Sequence, residues 1–162
     1  MRKLIGVAIL LGMTSMLAMA GETAKPEVYG GYQWTSTDGG WHGNGWNGAA
    51  NLYVWKNVGA TADFSGVYGS SQNLYTYSFG PVVSLPKHGV SPYVHALFGG
   101  ARTGATGFSS VSGMAMMFGG GVDFGQKKWA FRAIQVDWMG LRFNGITDKN
   151  NVRVNTGLLY RF

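Results

Sequence analysis

Along the last stretch of the chain, Val152, Val154, Thr156, Leu158, Tyr160 and Phe162 fall on one face of an extended strand. Asn151, Arg153, Asn155, Gly157, Leu159 and Arg161 fall on the other. This period of two, apolar against largely polar, runs to the final residue. The same alternation recurs upstream. Strand one, about Glu27 to Thr35, puts Val28, Gly30, Tyr32 and Trp34 on one face. Strand two, about Gly48 to Val54, offers Gly48, Ala50, Leu52 and Val54. Strand three sets Ala60, Ala62, Phe64, Gly66 and Tyr68 against Thr61, Asp63, Ser65 and Val67. In strand four Tyr75, Tyr77, Phe79, Pro81, Val83 and Leu85 oppose Thr76, Ser78, Gly80 and Ser84. Strand five, about Ser91 to Ala101, carries Val94, Ala96 and Phe98 on one side and Tyr93 and His95 on the other. Strand six sets Met114, Met116, Phe118 and Val122 against Gly119, Gly121 and Asp123, and strand seven runs from Trp129 to Met139.

The connections differ in length. Trp55–Val58, Pro86–Val90 and Gly125–Lys128 are short, whereas Ser36–Asn47, Arg102–Ser112 and Gly140–Asn150 are long and rich in Gly, Ser, Thr and Asn. Ser70–Asn73 is brief but lies on the long-loop side. Short turns at one end and longer loops at the other predict an all-β fold, an eight-stranded antiparallel up-and-down transmembrane β-barrel with both chain ends on the turn side. Ten residues at ~3.4 Å rise and ~40° tilt span roughly 26 Å, close to the ~25 Å apolar band of such barrels. Tryptophans fit two interfacial girdles: Trp34, Trp46 and Trp138 at the loop ends, Trp55 and Trp129 at the turn ends, with Trp41 alone in a loop. All three short turns carry lysine, at Lys56, Lys87, Lys127 and Lys128.

Composition sharpens this picture. Of 162 residues only 12% are charged, about half the usual share, while 27 are glycine and 14% are aromatic. Such a chain suits a solvent that tolerates apolar surface. Arg2 and Lys3, the apolar run Leu4 to Leu11, and Ala18-Met19-Ala20 make a secretory signal peptide over residues 1–20, with Ala18 and Ala20 at the cleavage site. Residues 21–26 form a short periplasmic N-terminal segment and 27–162 the barrel domain. Losing Arg2 and Lys3 lowers the net charge from +6 to +4, too dispersed for a nucleic-acid stripe. Cysteine is absent.

Eight strands enclose an interior that side chains fill, and buried charge there must be paired. Strand parity places Asp63, Asp123, Asp137, Arg153 and Arg161 inside as a charge network. Arg132 breaks the parity of Gln135 and Asp137. Either it faces the periplasmic interface, which its position three residues after Trp129 slightly favours, or a bulge flips the phase of strand seven.

The signal peptide, the alternating strands and the aromatic terminus together resemble the eight-stranded outer-membrane β-barrel family. Its best-known members are the transmembrane domain of outer-membrane protein A and short relatives. The segments "PEVYGGYQW", "GATADFSGVYG", "SPYVHALFGGA", "GGGVDF" and "VRVNTGLLYRF" carry the resemblance, which covers residues 27–162. It implies that Asn155, Gly157, Tyr160 and Phe162 form the C-terminal signal read by the outer-membrane assembly machinery. It also implies residence among outer-membrane lipids. These 162 residues hold no counterpart of a periplasmic peptidoglycan-binding domain, so a cell-wall tether is not expected.

Chemistry is sparse. "GNGWNG", Gly43 to Gly48, fits G-x-G-x-x-G but leads into a strand through Trp46, so it reads as a surface loop and not a dinucleotide fingerprint. His42, His88 and His95 make no zinc motif, and the expectation is no metal, no cofactor and no catalytic residue. His95 reads as an interior hydrogen-bonding group. A lipid-modifying barrel enzyme, a small-solute outer-membrane channel and a secreted lipocalin-like barrel with its apolar face turned inward are the competing readings. The favoured one is a non-enzymatic protein of the cell outer membrane with a structural or surface-interaction role, and an extracellular partner left open.

Overall fold

The computed structural model describes residues 25–70, 72–105, 110–125, 127–143 and 145–162. The signal peptide with Ala18 and Ala20 lies outside the described residues. Eight strands follow in order: β1 Lys25–Ser36, β2 His42–Tyr53, β3 Val58–Tyr68, β4 Gln72–Ser84, β5 Val90–Ala105, β6 Val111–Phe124, β7 Trp129–Phe143 and β8 Ile146–Arg161. Each pairs antiparallel with the next, and β8 pairs with β1 to close the barrel. Closure removes both open edges. The ladder reaches the terminus, where the Phe162 N–H donates to the Pro26 carbonyl at 3.1 Å.

Alternation sorts side chains as the sequence parity predicts. Val28, Tyr77, Val94, Met116 and Leu158 stand exposed on the outer wall. Asn47, Asp63, Ser78, Asp137 and Asn155 are buried inside. An apolar exterior around a polar interior overturns the lipocalin-like alternative, which needs the opposite arrangement.

The long loops are corrected. β2 begins at His42, so "GNGWNG" is strand and pairs with both β1 and β3. β5 and β6 extend to Ala105 and from Val111, and β7 and β8 extend to Phe143 and from Ile146. Glycine and asparagine have low strand propensity, and that signal was misleading. A barrel wall is fixed by its neighbours' ladders, and glycine is required where walls press together. A Cβ on Gly45 would meet the Gly66 carbonyl and lie 2.9 Å from the Val67 Cα. The first strand also starts at Lys25, so Lys25 and Pro26 pair with Tyr53 and Leu52 as part of the wall.

Strand seven answers the question of Arg132. Val122 pairs with Ile134 and Asp123 with Arg132, which leaves Ala133 as one extra residue. On the other side, Arg132 pairs with Gly157 and Gln135 with Asn155. This bulge reverses parity, so Arg132 faces the lumen while Phe131 before it and Ile134 after it face out. The Thr156 hydroxyl donates to the Arg132 carbonyl at 3.0 Å and satisfies the backbone group beside the bulge. The interfacial placement of Arg132 is therefore wrong.

Candidate functional site

Among the described residues the lumen gathers the buried ionisable groups, and it does so in levels. At mid-height Arg153, fully buried, donates from Nε to Asp137 Oδ2 at 2.7 Å. Its Nη1 and Nη2 grip Asp63 at 2.7 and 3.2 Å. One guanidinium thus ties β8 to β7 and, across the lumen, to β3. Asp137 also meets His95 Nε2 at 2.8 Å and accepts from Gln135 at 2.7 Å. Asp63 accepts from Asn47 at 3.0 Å. Every carboxylate oxygen here has a partner, as buried charge demands.

Toward the turns, Arg132 clamps Asp123 through Nε and Nη2 at 2.8 and 3.1 Å. Its guanidinium lies between the rings of Tyr29 and Tyr93, 4.3 Å from each centroid. A guanidinium stacked on two rings in a dry site gains cation–π attraction that a lysine would match poorly. Gln135 joins the two levels. Its carbonyl accepts from Arg132 at 2.7 Å and from Tyr93 at 2.6 Å while its amide donates to Asp137. Glycine makes room for this stack: Gly31 pairs with Gly157, which pairs with Arg132 on its other side, and a Cβ on Gly31 would strike the Tyr29 hydroxyl and ring.

Lowest of all, Arg161 donates to Glu27 at 2.8 Å, to the Gly125 carbonyl at 2.9 Å and to Ser91 at 3.4 Å. Toward the loops the lining turns apolar: Val67, Leu97, Met117, Met139 and Leu141 pack as one buried cluster. Trp41 and Phe143 are packed against it. Trp41, expected in an open loop, is half-buried over Gly43 and Gly69.

All five residues assigned to the interior by parity face the lumen, but they form separate groups. Arg153 joins Asp63 to Asp137; Asp123 belongs with Arg132, and Arg161 with Glu27. Glu27 was missed, although it shares the parity of Tyr29 and Gln33. Of the terminal signal residues, Asn155 is buried in the lumen and Gly157 lies against Gly31. Tyr160 and Phe162 stand on the outer wall with ring centroids 4.9 Å apart, and Trp129 stacks edge-on to Tyr160. His95 points inward, away from any lipid substrate on the outer wall. Among the described residues no three His, Cys, Asp or Glu side chains gather as a metal site would require.

No protein-family model and no curated protein sequence matches the chain. Solved structures do. Neisserial surface protein A superposes with a TM-score of 0.69 at 13% identity, over 86% of this chain and 97% of that one. OprG from Pseudomonas aeruginosa gives 0.61 at 10% identity, over 86% and 96%. Ail, the attachment invasion locus protein of Yersinia pestis, in complex with the heparin analogue sucrose octasulfate, gives 0.56 at 18% identity, over 86% and 99%. At such identities the likeness speaks to architecture, and with a closed eight-stranded antiparallel wall on the page it is specific: this chain has the fold of the eight-stranded outer-membrane β-barrels.

Proposed function

We propose that the protein resides in the cell outer membrane as a non-enzymatic barrel with a structural or surface-interaction role. The observation that carries this reading is the lumen itself. Arg153, Asp63 and Asp137 span it at mid-height, the Arg132 stack lies below, and the Met117 and Met139 layer lies above. A lumen filled this way favours a plug over a solute path. The apolar outer wall with its tryptophans supports insertion in lipid, with the loops on the outside.

The direct test is fractionation of native cells followed by planar-bilayer recording of purified protein. The expected result is outer-membrane localisation, resistance to salt extraction and no steady conductance. Open events comparable to a general porin would replace the plug with a transport role. The terminal signal is tested separately. Deleting Phe162, whose ring stands exposed on the outer wall, should leave folding in micelles intact and sharply lower insertion in cells. Equal loss in both settings would reduce the ring to a structural part.

A further inference from the structure

Below the Arg161–Glu27 pair the barrel mouth opens into a bowl of about 500 Å³ at the turn end. Its rim is strongly cationic. Lys25 comes from β1, Lys56 from the β2–β3 turn, and Lys87 with His88 from the β4–β5 turn. Among the described residues none of these three ammonium groups has a carboxylate partner, because Glu27 is taken by Arg161. Tyr53, Ser84 and Ser91 line the inner surface with hydroxyl groups.

One wall is held in an unusual conformation. Lys87 and Val90 exchange backbone hydrogen bonds of 2.7 and 3.0 Å around a two-residue turn. Both central residues have positive φ, His88 at 50° and Gly89 at 86°. Such turns prefer Asn, Asp or Gly at the first position, and His88 is the only non-glycine residue with positive φ among those described. The turn is then pinned over the neighbouring strand end. The Gly89 carbonyl accepts from the Gly125 N–H at 2.8 Å, and the Gly125 carbonyl accepts from Arg161 at 2.9 Å. Arg161 thereby braces the wall while its own charge is spent on Glu27. The lysines are the charge left for a visitor.

We propose that this bowl is a binding site for a soluble anion bearing two or more phosphate-type charges. Three ammonium groups on three chain segments line this one bowl, a layout that suits a single multiply charged body better than a monovalent ion. Ammonium groups with nearby hydroxyl donors suit tetrahedral phosphate oxygens, whereas planar carboxylate recognition favours a guanidinium fork. A bowl of this size is within the ~300–1,000 Å³ range of small-molecule sites. Because it opens on the barrel axis, inside the wall, it is offered to solutes more than to headgroups of the surrounding bilayer. The site does not depend on the lumen being a plug or on any surface partner.

The test is calorimetric titration of the barrel, in nanodiscs of zwitterionic lipid, with inorganic tripolyphosphate. Saturable one-site binding that weakens with salt is expected. The combined change Lys25→Gln, Lys56→Gln and Lys87→Gln should weaken it at least tenfold. Removing the same charge outside the bowl, by Lys127→Gln, Lys128→Gln and Lys149→Gln, should change it less than twofold. The lysines are exposed, and retained gel mobility of unboiled samples checks that each variant is folded. Arginine at the three bowl positions should keep binding if folding suffers in the glutamine set. Equal weakening by both charge-matched sets would reduce the effect to bulk electrostatics and overturn the site. So would the absence of saturation, or equal affinity for an acidic peptide. Loss of tripolyphosphate binding in nanodiscs containing phosphatidylglycerol, with the bowl lysines responsible, would overturn the soluble source and assign the site to lipid headgroups.

Discussion

The two halves of the lumen are walled by the same eight strands, yet they are held by different physics. From mid-height to the turns, Arg153, Arg132 and their carboxylates are joined by directional bonds of 2.7–3.2 Å. Toward the loops, Leu97, Met117, Met139 and Leu141 meet only through apolar contact. The apolar layer tolerates a change of shape of similar volume. The charged layer does not tolerate the loss of a single partner, since the survivor is left in a dry site. A barrel of this width therefore uses charge to define which residues oppose one another, and apolar bulk to shut the path.

Arg153→Met should break the contrast most severely, because it strands both Asp63 and Asp137. It should cost ~3–5 kcal/mol in urea unfolding from lipid vesicles. The deficit should shrink as pH falls, since protonating the stranded carboxylates removes the buried charge. Adding Asp63→Asn and Asp137→Asn should restore most of it. Leu97→Ala, in the apolar layer, should cost ~2–5 kcal/mol through a cavity, with no dependence on pH. That difference in pH response separates the two halves. His95→Gln should have the smallest effect, ~0.5–1.5 kcal/mol, because glutamine can still donate to Asp137.

Much of this was legible in the chain, and the failures share a cause. Parity assigned inner and outer faces because a two-residue period leaves no freedom within an unbroken strand. It could not resolve strand seven, since alternation is regular on either side of Ala133 and only the misplaced charge of Arg132 signalled a break. Loop lengths failed because Gly43, Asn44, Gly45 and Asn47 read locally as a turn, while their strand state comes from ladders to β1 and β3. Glu27 was overlooked because it lies beside the start of the first strand, where a solvated charge needs no explanation. Its partner is 134 positions away. Pairings at that separation are invisible to local pattern.

That separation also orders events in time. The seam between β1 and β8 joins the first and last strands, so it carries the largest loop-closure entropy of any pair in the wall. Contacts of such sequence distance form slowly. Until they form, β1 presents an open edge that can pair with another chain. The Glu27–Arg161 bond and the final Phe162–Pro26 hydrogen bond accordingly act as a clasp engaged only at the end of folding, and the interval before they engage is when the chain is most exposed to misassembly.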